Sequence, residues 1–420
     1  MGSEKTKIVI MADMQKNSLI TRAKDYLRTP QGRQVSMWLA FFVFWSGAAA
    51  FLPFISVYYA SVNLKGSQIG QLNSIPYFVS FVSSILFAFL SDVSRRHKLV
   101  LAVCTLGMIG VLFIYPSARS FAAFIPIVLA YSILHAPCNP IMDETALASL
   151  ENPERYGRIR VGGSIGWGIM VLVTGYLIDH LGLGLSVIFY VHILFNFLFL
   201  INIGIMPSIH RHTDAPAHQV SLTKIWEMLM QPGFVVFLLV IIIWGIAESS
   251  IGNFLFLHIK SLGGSSTLMG TALSVSLIGE IITFTFAHKI QARLGPHKMV
   301  LMAFVVLFTW LTGLSLIRDP NAIPLFQIFG GAGFALLQSG SVAYVDQRAP
   351  REIGTTAQAV RGGLYSGLGV GTGSIISGIL YESSGSVFLF RTMSIVAVGG
   401  FIFGVIAYLI ERHRNSAKPV

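Results

Sequence analysis

The sequence predicts an all-α polytopic membrane protein with twelve transmembrane helices in two pseudo-symmetric six-helix bundles, and three observations carry that prediction. The chain repeats itself: Asp143, Arg158, Gly166, Gly168, Gly175 and Gly182 recur as Asp346, Arg361, Gly369, Gly371, Gly378 and Gly385 at a constant offset of 203 residues. Its composition is apolar, with 54% hydrophobic and 11% charged residues and a mean hydropathy of +0.71, where a soluble domain carries roughly 25% charge. Its basic residues alternate in sign of side. With both ends placed in the cytoplasm, 24 of the 29 Lys and Arg fall in cytoplasmic segments, leaving Lys65, Arg119, Lys260, Arg318 and Arg391 outside.

The elements follow in order. Apolar runs lie near 35–60, 66–91, 98–116, 120–147, 160–180 and 185–206, then near 232–258, 266–290, 297–317, 321–347, 360–381 and 387–411. Each is long enough to cross a hydrocarbon core of ~30 Å at 1.5 Å per residue. Backbone amides cannot stay unpaired in lipid, so runs of this length are helices; β-strands would alternate apolar and polar and be about half as long. Residues 1–34 are polar and basic without a cleavable apolar core, and are expected to be a cytoplasmic tail. The bundles are expected over 35–206 and 232–412, joined by a cytoplasmic linker at 207–231, with a second tail at 413–420.

The net charge of +11 would suit a nucleic-acid ligand, but its basic residues follow the loop alternation of the positive-inside rule, which excludes a nucleic-acid patch and places both termini in the cytoplasm. Cys104 and Cys138 both fall within spans, so no disulfide or metal framework is implied. The His-rich linker lacks cysteine and regular ligand spacing, so no metal site is expected there either. A fused, duplicated pair of membrane bundles points to a carrier whose site lies between the halves.

Glu248 and Glu280 sit near mid-membrane in the seventh and eighth spans, where an ionised side chain costs roughly 2.5–3.5 kcal/mol. They are expected to face a wet cavity or a partner and to exchange a proton. Arg160 lies one turn inside the fifth span, where a guanidinium grips hydroxyls or a carboxylate bidentately. Arg158 and Arg361 are repeat-related and are expected at the gate with Asp346. Asp143 is expected to tie helix ends near the cytoplasmic gate or to pair with Arg160, and is a candidate for proton coupling. His135 precedes Pro137, a predicted helix bend, and imidazole is a candidate proton carrier. Gln338 and Tyr344 in the tenth span are candidate hydrogen-bonding groups for a solute. No nucleophile–base pattern is found in the spans, so no enzyme is expected.

Two stretches carry a family resemblance. Ala88-Phe-Leu-Ser-Asp92-Val-Ser-Arg95-Arg96-His97-Lys98 resembles the signature loop of the major facilitator superfamily. Ala136-Pro137 through Tyr156-Gly-Arg158-Ile-Arg160 to Trp167-Gly, with Leu277-Ile-Gly-Glu280 and Gly378 to Gly385, resembles its lactose permease-like branch, which includes phenylpropionate and nucleoside proton symporters. The resemblance implies a gating role for Asp92, Arg95 and Arg96, and a substrate site at Arg160, Trp167, Ser164 and Glu280. The permease's fourth-helix glutamate falls on Asn139 or Pro140, with Asp143 one turn nearer the cytoplasm. The resemblance stops at the proton-handling set, whose arginine, histidine and glutamate fall on Trp310, Gly330 and Gly333.

The expectation is therefore a monomeric secondary transporter in the plasma membrane, importing a small polar solute, a sugar first, with a proton and no bound cofactor. The alternatives are an aromatic acid or nucleoside symporter, an exporter, or a solute receptor that does not transport. Exporters of this superfamily carry a Gly-Pro motif in the fifth helix, and residues 160–180 contain no proline.

Overall fold

The computed structural model describes residues 26, 29–94, 97–150, 156–207, 226–228, 230–349 and 354–416. Its first six passes are α1 (Pro30–Ser61), α2 (Gly66–Ser94), α3 (His97–Ile114), α4 (Phe121–Ala148), α5 (Tyr156–His180) and α6 (Val187–Ile205). The second six are α7 (Pro232–Ser261), α8 (266–294), α9 (296–316), α10 (Ile323–Arg348), α11 (354–383) and α12 (386–416). Helices α8 and α9 run on with a break at Gly295, whose φ of 75° is in the left-handed region, and α11 and α12 break likewise at Gly385.

Local chemistry sets the ends and bends. Thr29 caps α1 by accepting from the Gly32 amide at 3.1 Å with Pro30 in the first turn, and Ser265 caps α8 by accepting from the Leu268 amide at 3.1 Å. Proline interrupts α1 at Pro53 and α4 at Pro137, because neither ring nitrogen can donate to the helix ladder. The bend predicted at Pro137 is present. Helix α11 departs from the expectation of a plain α-helix: Leu364–Gly371 is π-helical.

Large apolar side chains such as Ile201 (68% exposed), Leu325 (67%) and Ile395 (70%) stand on the perimeter. Such a surface matches lipid and would be unusual against water. Inside each half, aromatic side chains pack closely: Phe51 stacks on His192 at 5.1 Å between centroids, and Trp244 meets Phe304 edge-on at 5.3 Å.

The halves meet along two repeat-related helix pairs, α5 on α8 and α2 on α11. Gly270 is one reason they approach so closely: a Cβ there would stand 2.5 Å from the Val171 carbonyl oxygen. One end of this seam is sealed by two carboxylates on helix N-termini. Asp179 of α5 accepts from the Ser266 and Thr267 amides at 3.1 and 2.8 Å and from Thr267 Oγ1 at 2.7 Å. Glu382 of α11 accepts from the Ser67 amide of α2 at 2.9 Å. Each fills donors that the first turn of a helix leaves unpaired, at the positive end of its dipole. Phe54 of α1 closes against Phe256 of α7 at 4.8 Å beside them.

Candidate functional site

Beneath the sealed end lies a cavity of about 250 Å³. Glu248, Glu280, Ser276, Gln327, Trp244 and Trp310 line it, and α1 of the other half contributes Pro53. The two mid-membrane carboxylates, 32 residues apart in sequence, thus share one chamber. Tyr365 donates to Glu248 Oε2 at 3.2 Å from the π-helical stretch of α11, which carries this partner to α7. Tyr77 of α2 stands close enough to Glu248 for the two to interact electrostatically, so both halves address this carboxylate.

The facing half supplies a cation. Arg160 lies with its guanidinium carbon 5.3 Å from the Phe41 ring centroid and 5.0 Å from that of Trp45, and Trp45 meets Trp167 at 5.9 Å. Aromatic faces hold a guanidinium without neutralising it. The charge of Arg160 acts on two acids, Asp143 in its own half and Glu280 in the other. Asp143 is further held by Tyr156, which donates to Oδ1 at 2.6 Å, and by Asn139, which donates to Oδ2 at 2.9 Å. Ser164 is half-buried one turn beyond Arg160. Arg160, Trp167, Asn139, Asp143 and Glu280 therefore belong to one electrostatic neighbourhood that crosses the seam.

Other predicted residues stand elsewhere. Gln338 does not line the cavity; its Oε1 accepts from Arg361 Nη1 at 3.1 Å, and Ser341 and Gln358 accept from the same guanidinium at 3.0 Å each. Tyr344 stacks on Phe237 at 3.7 Å and donates to the Gly233 carbonyl at 3.2 Å. His135 is stacked between Phe44 (5.2 Å) and Tyr131 (5.6 Å), with Nε2 buried and unbonded. Arg158 and Asp346 are exposed. Asp92 belongs to α2, with its side chain outside the described set, and Arg95 and Arg96 lie outside the described residues. Most of the expected linker at 207–231 does too. His97, from the same predicted gate loop, has Nδ1 4.0 Å from Glu144 Oε2 of α4.

Gln327, Trp244 and Trp310 escaped sequence reading as site residues. Trp310 packs across Gly330, where a Cβ would come within 2.6 Å of the indole. The positions at which the permease resemblance predicts an arginine and a histidine are thus occupied by a tryptophan lying on a glycine. Gly331 lets α10 touch α8, since a Cβ there would stand 2.5 Å from the Glu280 amide nitrogen. Among the described residues, no group of three or more His, Cys, Asp or Glu is placed to hold a metal ion.

Comparison with known proteins agrees with this fold. Residues 34–392 match the family described as MFS_1 like family. The chain is 25% identical to the maltose permease of Geobacillus stearothermophilus over 90% of its own length and 95% of that protein's. It is 24% identical to the probable 3-phenylpropionic acid transporter of Escherichia coli (strain K12), over 87% and 96%. The crystal structure of the nucleoside transporter NupG superposes on it with a TM-score of 0.78 at 16% identity, covering 90% of this chain and 98% of that one. The chain belongs to the MFS_1 like family: it is a multi-pass membrane transporter of the major facilitator superfamily, not an enzyme.

Proposed function

We propose that the protein imports a small uncharged polar organic solute together with a proton, by alternating access, across the plasma membrane with both termini cytoplasmic. The observation that carries this reading is the pairing of Glu248 and Glu280 in one chamber, facing Arg160 of the other half. A proton-coupled carrier needs an acid that can be discharged in one orientation and recharged in the other. Glu248, held by Tyr365 of α11, suits coupling, and Glu280, within reach of the Arg160 charge, suits solute binding. Among the described residues, the two carboxylates that line the cavity outnumber the one guanidinium, Arg160, whose charge reaches them, so an anionic solute is disfavoured. This favours the saccharide or nucleoside reading over the aromatic acid. A relative named maltose permease and a structural neighbour titled nucleoside transporter support the same choice.

In this polarity the Asp179 and Glu382 end faces outward, and the chamber is closed to the outside. A membrane potential of 100 mV supplies ~2.3 kcal/mol per charge moved, enough for a roughly 50-fold gradient. The test is uptake by proteoliposomes with an imposed proton gradient. Wild type accumulates a neutral solute and loses accumulation with a protonophore. Glu248→Gln retains solute counterflow but loses proton-driven accumulation; unchanged accumulation removes Glu248 from coupling. Solute binding without any counterflow in wild type would overturn transport in favour of a receptor.

A further inference from the structure

Four polar atoms beside the cavity have no hydrogen-bond partner: Gln327 Nε2 and Oε1, Trp244 Nε1 and Trp310 Nε1. Gln327 is 0% exposed, Trp244 1% and Trp310 6%. Buried polar side chains are overwhelmingly paired, because leaving one unpaired forfeits its hydration without return. Three such side chains, from α7, α9 and α10, line one chamber, and their unpaired groups supply the donors and the acceptor that an entering polar solute can satisfy. We propose that Gln327, Trp244 and Trp310 form the subsite that selects the solute, and that the group they read is the hydroxylated face of a sugar ring; this rests on the neutral-solute transport reading above.

The chemistry narrows as follows. Glu248 and Glu280 are acceptors when ionised, whereas the indole N–H groups only donate and the Gln327 amide both donates and accepts. A solute bridging the two sides must donate to the carboxylates and accept from the indoles. A hydroxyl does both and carries no charge; an amine only donates when protonated, and a carboxylate only accepts. Tryptophan rings also offer flat apolar faces to the C–H face of a ring. The position has no repeat counterpart: offsets of 200 and 203 from Gln327 fall on Ile127 and Phe124. The subsite therefore belongs to the second half alone.

The hydroxylated ring is shared by free sugars and by the ribose of nucleosides, and the test separates them. Wild type, Gln327→Leu and Trp310→Phe are reconstituted, and uptake is titrated with monosaccharides, disaccharides, ribonucleosides and their deoxy analogues. Gln327→Leu removes two unpaired polar atoms and is expected to fold at least as stably as wild type. It should raise the half-saturating concentration of the hydroxylated solute about 10- to 100-fold while sparing the analogue that lacks the hydroxyl. Trp310→Phe keeps a ring and removes one N–H, with an expected loss of roughly 3- to 10-fold. A response by monosaccharides or disaccharides identifies a sugar, one by ribonucleosides a nucleoside, and each supports the subsite. Wild-type uptake with half-saturation unmoved in both variants overturns the subsite alone, leaving water as the cavity's content. A wild type that carries no hydroxylated ring overturns the solute reading, and the subsite with it.

Discussion

Glu280→Gln abolishes measurable solute uptake while the protein remains folded and monodisperse in detergent. The substitution conserves shape, so α8 keeps its contact with Gly331 of α10, but the side chain loses the charge that attracts Arg160 across the seam. A hydrogen bond to a charged group is worth about 1.5–3 kcal/mol, which corresponds to roughly 10- to 150-fold in solute affinity for each bond weakened. Two hydroxyls shared with one carboxylate bring the loss below detection. Arg160→Ala has the same outcome by removing the cation from the opposite half, and its stacking on Phe41 and Trp45 goes with it. The measurement is initial-rate uptake beside size-exclusion profiles. Normal uptake in both variants would exclude Arg160 and Glu280 from the site.

Breaking the carboxylate seals opens the other face of the transporter. Asp179→Ala removes three hydrogen bonds from the first turn of α8, and capping residues of this kind contribute about 0.5–2 kcal/mol, or roughly 2- to 30-fold in the balance between the two orientations. Glu382→Ala acts in the same direction at α2, and the double variant shifts further than either. The native cysteines Cys104 and Cys138 are both buried and free, which leaves a clean background for a reporter. Gly252 lines the cavity, and a Cβ there meets open space, so Gly252→Cys supplies that reporter without strain. A membrane-impermeant thiol reagent applied at the sealed face should label it slowly in the parent and faster in each seal variant. High salt should accelerate labelling in the parent, because exposed charges are screened. Equal rates in all four proteins would show that the seals do not hold the closed state.

Much of this fold was legible before any coordinates, for a physical reason. Lipid forces each pass to be long, apolar and internally hydrogen-bonded, so span number can be read from hydropathy alone. The repeat was legible because close helix approach demands glycine at both copies of a contact, as at Gly175 and Gly378. The carboxylates Glu248 and Glu280 announced themselves by the cost of their depth. The missing part is tertiary. Asp179 and Glu382 are acids 203 residues apart, the offset of the repeat, yet their partners are main-chain amides of Ser266, Thr267 and Ser67, which leave no mark in side-chain identity. Gln327 and Gln338 looked alike in sequence as amides in one span. Only packing separates the first, beside the cavity and unpartnered, from the second, held by Arg361. Trp310 read as an absence of the expected arginine, whereas folded against Gly330 it forms part of the chamber wall.

The π-helical stretch Leu364–Gly371 gives this transporter a place where its length can change. An α-helix turns about 100° per residue, so losing one residue inside α5 would swing everything beyond it, Asp179 included, to a new azimuth. A π segment bonds each amide one residue further back and so carries surplus chain. Deleting one residue between Ser366 and Leu368 returns the stretch to α geometry and leaves Arg361 before it and Glu382 after it facing their present neighbours. The deleted form should insert and fold, as judged by expression and thermal stability, where the same deletion between Gly168 and Met170 of α5 should not. Among the described helices, α11 is the one whose lineage can gain or lose a residue at mid-membrane without reassigning either gate.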